Sequence, residues 1–425
     1  MNYNMLKWAK DIFPFNRSLT GIGVRKTINY INKINPQIKK ISFKSNSKVF
    51  DWIVPSEWKI DNAYFIDKFG KKYAEFKKNN LHIVSYSVPV NKTVSKNELL
   101  QHIHTLPKQP NAIPYITSYY KRNWGFCITE KVKKKLPDGN FKVKIDSKLF
   151  DGNLDIGEAY IKGKVKKEIF FSTYICHPSM ANNETSGIVV LSALLKYISE
   201  NYKNNYYSYR FVFVPETIGS IAYLSKNYKK MKKNIICGFN LSCVGDENAF
   251  SHVHSRFGNA LSDRALKASL KGLKNVREYS FLERGSDERQ YCSPGIDLPL
   301  STFCRSKFNG GYKEYHSSLD DFKIVTSKGL DGSFNVIKNI IDSFELGLYP
   351  KSNFLCEPQL GKRNLYWDIS KKENYNSLNT RRDLIAYADG KTNIFDICEI
   401  IKKPLLDVLC EYRLLTLKKI LRGSN

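Results

Sequence analysis

Between about residue 165 and residue 349, three unbroken apolar runs, EIFFSTYIC, YRFVFVP and IICGFNLSCVG, are separated by helix-patterned stretches such as GIVVLSALLKYISEN and ALSDRALKASLKG. A run with no polar alternation must be buried on both faces, and a strand meets that condition inside a sheet covered by helices on either side. The alternation therefore predicts an α/β domain with a mainly parallel sheet and helices on both faces. In such sheets ligands bind beyond the carboxyl ends of the strands. The residues that follow each run are the first place to look for chemistry.

The flanking segments read differently. Leu6, Ala9, Ile12 and Phe13, then Val24, Ile28, Tyr30 and Ile31, recur at helical spacing in the opening stretch. From 42 to 161 short strand-like runs (VFDWIVP, LHIVSYSVPV, GNFKVKIDSKLFDG) surround one helical segment, LLQHIHTLP. Residues 1–41 and 162–350 are thus expected to form one domain, with 42–161 as a β-rich insert. The tail, 351–425, opens with the loop-like KSNFLCEPQLGKRNLYW and continues as three helical segments, RRDLIAYADG, TNIFDICEII and LLDVLCEYRLLTLKKIL. A break at Lys403-Pro404 and an N-cap at Thr392 give this tail the pattern of a winged-helix-like unit.

Composition narrows the class. Apolar residues make up 42% of the 425, which is enough for folded cores of two or three domains and rules against wholesale disorder. No run of about eighteen apolar residues exists to span a membrane. The first twenty residues lack the apolar stretch and cleavage site of a signal peptide, so a cytoplasmic location is expected. The nine cysteines are scattered without close pairs and read as free thiols. Sixty-eight basic residues against 40 acidic ones leave a charge of +28. Such a field attracts polyanions, but the general abundance of Lys, Asn, Ile and Tyr explains it equally well.

The candidate chemistry follows the apolar runs. His177 stands just after the first, in CHPSMANNETSG, and Glu216 ends the second, in PETIGS. A neutral imidazole there suits a metal, and a carboxylate there is either a ligand or a general base. Asp246 follows the third run and could supply an oxygen ligand or simply make a turn. Asp287 precedes a short helix in GSDERQY, and His316 lies in the loop EYHSSLDD. Each alone is more often a cap or a solvated residue. Together, two His and several carboxylates at strand ends make the open nitrogen-and-oxygen site of catalytic zinc. His252 and His254 in FSHVHS alternate at strand spacing and read as surface strand residues.

At the level of motifs the core resembles the zinc aminopeptidase superfamily that includes bacterial leucyl aminopeptidases. It is more closely similar to a bacterial family of polysaccharide-biosynthesis-associated proteins with an aminopeptidase-like domain and a terminal winged helix. The motifs are RSLTG, VFDWIVPSEW, NAIPYITSYYKRNWGFC, CHPSMANNETSG, PETIGSIAYL, RGSDERQY and YHSSLDD, spread from residue 17 to residue 321.

The resemblance implies a dinuclear zinc centre held by a His, a bridging Asp, a Glu, a second Asp and a final His. Residue by residue, His177 matches the first ligand and His316 the last. The bridging Asp falls on Asn183, and the second Asp on Ser242, with Asp246 four residues on as a substitute. The family's pair of adjacent glutamates is reduced to Glu216. Asp287 matches the Asp of a Ser-Asp-His signature, with Glu288 in place of the His. A neutral amide at 183 cannot offset the repulsion of two dications, so one Zn2+ ion is expected rather than two. The implied metal residues are His177, Asn183, Asp246 and His316, with Glu216 catalytic and Asp287, Arg289 and Tyr315 contacting substrate. The expected activity is hydrolysis of an amide, in a small peptide or an amino-sugar derivative, linked to surface polysaccharide. The alternative is a degenerate binding protein whose winged helix engages nucleic acid or protein. The apolar last helix favours protein over nucleic acid, and a homo-oligomer is left open.

Overall fold

The computed structural model describes residues 3–308, 310–366 and 375–425. Met1, Asn2 and Trp367, which end two of the segments read above, lie outside them. The apolar runs lie in an eight-stranded mixed sheet. Its strands are β1 (Lys39–Lys44), β2 (Asn153–Ile161), β3 (Glu168–Tyr174), β4 (Ser208–Val214), β5 (Ile235–Leu241), β6 (Phe250–Val253), β7 (Val276–Tyr279) and β8 (Leu300–Cys304). They lie in the order β1-β2-β4-β3-β5-β8-β6-β7. The three apolar runs supply β3, β4 and β5 of the parallel centre, which β8 completes beside β5. Antiparallel pairing is confined to the flanks, where β1 joins β2, β2 joins β4, and β6 joins β8.

Side-chain alternation divides the sheet between two cores. Ile169, Phe171, Phe211 and Phe213 face one core together with helices Met5–Ile12, Ile22–Ile34, Ser186–Asn201 and Ser327–Gly347. Phe170, Val212 and Val214 face the other, with helix Ile218–Asn234 and the insert residues Trp58, Phe65, Phe126 and Phe141. The insert is thus packed into the second core of the domain that carries it.

Two boundaries move. β1 and β2 belong to the main sheet, so the insert is shorter than 42–161: its own four-stranded sheet runs from Glu57 to Phe150. Short runs that mix apolar and polar residues look alike whichever sheet they join, so local pattern could not separate these two. In the tail, helices Tyr375–Tyr387, Ile394–Ile400 and Leu405–Leu417 are joined by a two-stranded ribbon, Tyr349–Ser352 with Leu421–Ser424. The N-cap of the middle helix is Asn393, whose side chain accepts from Phe395 N and Asp396 N; Thr392 instead binds Asp389 in the preceding turn. Among the described residues no helix is long and apolar enough to cross a membrane. All nine cysteines are free thiols.

Candidate metal and catalytic site

β3 delivers His177 to the site three residues past its end, and a buried ion pair sets the ring. Nδ1 lies 2.9 Å from Glu184 Oε2, and Glu184 lies 3.7 Å from Arg17, both side chains wholly buried. Arg17 Nε also donates to the carbonyl of His177 at 2.9 Å. Burial raises the Glu184 carboxyl, and the guanidinium opposes it. A buried arginine keeps its charge, so only an ionised Glu184 leaves the pair neutral. His177 then donates from Nδ1 and turns the lone pair of Nε2 into the site. The five residues Ala181–Thr185 form a single π-helical turn that places Glu184 under the ring, a device common at functional sites.

Glu216 follows β4 at a strained turn. Thr217 has φ 64° and ψ −76°, and Ile218 N donates to Glu216 O at 2.8 Å, closing a γ-turn of the rare positive-φ kind. Asp287 holds this turn, its Oδ1 accepting from Thr217 N and Ser220 Oγ, both at 2.8 Å. The second oxygen of Asp287 is buried without a hydrogen-bond partner. Burial and then the neighbouring Asp287 charge raise the Glu216 carboxyl, and burial raises Asp287 as well. Arg289 opposes both shifts while donating to Thr217 Oγ1 at 2.7 Å and Ser286 O at 3.0 Å. The turn directs Glu216 Oε2 to 3.8 Å from His177 Nε2.

The insert positions His316. Its segment around Pro114 bridges to Ser317, and Tyr115 N donates to the carbonyl of His316 at 2.9 Å. His316 takes a left-handed φ of 54°. Tyr315 stacks on its ring at 3.8 Å, and Tyr115 stands edge-on to both imidazoles, 5.0 Å from His177 and 5.4 Å from His316. The two imidazoles, 139 residues apart in sequence, have centroids 5.2 Å apart. Burial pushes both down to about 3, which keeps them neutral, the form that binds a metal.

The two imidazoles fit a zinc ion. Two imidazoles on one zinc at about 2.1 Å place their ring centroids roughly 5 Å apart. His316 Nε2 and Asn183 Oδ1 are buried with no hydrogen-bond partner, an arrangement that costs about 1–3 kcal/mol per group unless something binds there.

Not every residue of the expected set converges. Asp246 Oδ2 accepts from Asn182 Nδ2 (2.9 Å) and Ser306 N (3.0 Å), and Oδ1 accepts from Asn248 N (2.9 Å) and Ser306 Oγ (2.7 Å). With both oxygens occupied it ties three loops together and does not complete a ligand set. Asn183 donates to Tyr174 Oη at 2.9 Å and to Cys243 Sγ at 3.7 Å, and Tyr312 also meets that thiol at 3.7 Å. Burial pushes Cys243 up to about 12, so the thiol is neutral.

Arg17, Glu184, Tyr115 and Asp320 were not singled out in the sequence. Asp320 accepts from Asn182 N at 2.6 Å and Asn183 N at 3.0 Å, capping the π-helical turn. The available signal was their place inside the RSLTG, CHPSMANNETSG, NAIPYITSYY and YHSSLDD motifs. Their pairing across the fold was not visible there.

Comparison with known proteins places these residues among relatives. The family model of a domain of unknown function (DUF4910) matches residues 6–346, and a winged helix-turn-helix model matches 348–423. A Clostridium acetobutylicum protein provisionally named a polysaccharide biosynthesis protein with aminopeptidase-like domain is 42% identical over 405 residues, 93% of this chain and 90% of its own length. A crystal structure from the same organism, provisionally described as a peptidase, superposes with a TM-score of 0.88 at 38% identity. That match covers 98% of this chain and 95% of the other. A zinc aminopeptidase from Bacillus subtilis shares the fold, with a TM-score of 0.58 at 12% identity over 79% of this chain and 92% of its own.

Proposed function

This chain belongs to the DUF4910 family over residues 6–346 and ends in a winged helix-turn-helix over 348–423, and from that premise and its relative's aminopeptidase-like domain we propose that it is a zinc-dependent hydrolase of an amide bond. The observation that carries the reading is the meeting of His177 and His316 beside Glu216. His177 and His316 would hold the ion, with the amide oxygen of Asn183 as a weak neutral donor. Zinc bound there supplies a Lewis acid that polarises a carbonyl and acidifies water.

The rest is the work of the chain's own groups. Glu216, raised by burial and by Asp287, is a carboxylate tuned to accept a proton near neutrality and return it to a leaving amine. Asp287 and the strained Thr217 turn hold it in place. Arg289 offers a cation at the rim for the polar end of a substrate. Tyr115 and Tyr315 wall the imidazoles from water and leave a flat surface for a ring or side chain.

A single ion is favoured by what surrounds Asn183. A second dication would need negative charge there, and the Asn183 side chain meets the Tyr174 hydroxyl and the neutral Cys243 thiol, while the nearby Asp320 carboxylate is engaged by Asn182 N, Asn183 N and the Tyr312 hydroxyl. The relative's name supports an aminoacyl or N-acyl sugar as substrate, with a peptide N-terminus as the second choice. The winged helix is proposed to dock protein. Its last helix buries Leu405, Val408, Leu409, Tyr412 and Leu415 against the rest of the chain, and its Arg413 is already bound to Asp342. That leaves little for reading bases.

The test is turnover of a panel of aminoacyl anilides and N-acylated amino sugars by zinc-loaded protein. Wild type should hydrolyse at least one class, and Glu216→Gln should lower kcat by about 10²–10⁴-fold with zinc retained. Full activity in Glu216→Gln would refute the assignment of Glu216.

A further inference from the structure

A second cluster of ligating side chains lies at the β6–β7 edge of the sheet and takes no part in the site above. β6 carries His252, with His254 one residue past its end, and β7 pairs with it so that Glu278 lies directly beside His252 in register. His252, His254 and Glu278 each offer a donor atom within 4.8 Å of the other two. The imidazole rings are 4.2 Å apart between centroids.

The cluster is built rather than incidental. His252 is wholly buried and held through Nε2, 3.1 Å from Asp263 Oδ1. Asp263 is itself fixed by donors from Ser255 N (2.8 Å), Ala260 N (2.9 Å), Ser301 Oγ (2.8 Å) and the Ser255 hydroxyl. A carboxylate this well supplied with donors stays ionised, and burial lowers His252 despite it. The nitrogen left to His252 is Nδ1, buried with no hydrogen-bond partner. The bond to Asp263 explains the ring's orientation but not why a bare nitrogen is kept in the interior. His254 Nε2 and Glu278 Oε2 are 3.1 Å apart, close to the roughly 3.3 Å between neighbouring ligand atoms on a tetrahedral zinc. Both side chains reach solvent, with 25% and 46% exposure, so an ion can enter and they can swing onto it.

We propose that His252, His254 and Glu278 form a second divalent transition-metal site, with Asp263 orienting His252. Two imidazoles and one carboxylate suit zinc, and disfavour magnesium and calcium, which prefer oxygen. Water completes the shell from the open side. The site shares no residue with the catalytic cluster, so each stands or falls separately.

The experiment is equilibrium dialysis of the full chain against Zn2+, using wild type, His316→Ala, His254→Ala and the double variant. His316→Ala should still bind one zinc per chain, and adding His254→Ala should remove it. In parallel, Zn2+ should raise the Tm of His316→Ala but leave that of the double variant unmoved. Glu278→Gln, a substitution at a half-exposed position, should weaken this zinc at least about tenfold and covers the case in which His254→Ala fails to fold. Equal zinc content in His316→Ala and in its partner carrying His254→Ala or Glu278→Gln would overturn the proposal. If instead His316→Ala leaves wild-type zinc content unchanged while His254→Ala lowers it, the catalytic assignment fails and this one holds.

Discussion

At the scale of single residues, the proposed site rests on a wholly buried pair. Glu184 sets the tautomer and tilt of His177, and Arg17 keeps Glu184 charged. Carboxylates in this position raise the basicity of a ligating imidazole, and their loss weakens metal binding by about 10–100-fold. Glu184→Gln should therefore weaken zinc by that factor, read by chelator competition on folded protein; an unchanged affinity would contradict the role. The same variant leaves Arg17 buried without a counter-charge, which costs several kcal/mol, so a lower Tm is expected as well. His177 and Glu216 were legible in the sequence because strand-end position and motif both marked them, and His316 because its loop motif did. Glu184 was not, because a Glu entering a helix has a sufficient local explanation. Asp246 was misjudged for the opposite reason: its place after β5 suggested a ligand, while Asn182 and Ser306 had already filled its acceptor positions.

At the scale of elements, helix Ser327–Gly347 joins the parts. Its buried Asp342 accepts from Tyr197 (2.6 Å) and Tyr202 (2.6 Å) beside one helix, from Lys338 (2.7 Å) on its own, and from Arg413 (2.5 Å) in the winged helix. Burial by itself raises this carboxyl, but the four donors outweigh it and the net shift is downward. A folded-state value below the unfolded one means stability that is full above the ordinary carboxylate range and is lost as pH falls through the lowered value. Asp342→Asn should cost about 3 kcal/mol near neutrality. The gap in Tm between variant and wild type should close as pH drops below about 4. A gap independent of pH would assign the loss to packing alone. The central strands and the long helices were legible because unbroken apolar runs and helical periodicity have few alternatives. β1 and β2 were not, since a short run of mixed apolar and polar residues marks a strand without saying which sheet it joins.

At the scale of the molecule, neither the insert nor the tail is an appendage. Leu384, Ile397, Leu409 and Tyr412 of the tail lie in the same core as Ile337, Ile341 and Phe344 of the main domain. Burying each such side chain stabilises by roughly 1.5–3 kcal/mol. The exposed ion pairs across the junction, Arg264–Asp396 and Lys267–Glu399, are worth about 0–1 kcal/mol each. The apolar contact therefore dominates. The full chain should melt in one calorimetric transition, and a chain ending at residue 347 should bind a hydrophobic dye or fail to remain in solution. Two separate transitions, or a well-folded truncated chain, would show the tail to be independent. The site is equally a property of the whole: a strand end supplies His177, a distant loop supplies His316, and the insert presses the two together through Tyr115. The most direct test is an anomalous difference map at the zinc edge from crystals of zinc-loaded protein. One peak bonded to both His177 Nε2 and His316 Nε2, beside Glu216, is the predicted result; a map with no density linking those two imidazoles would contradict the account.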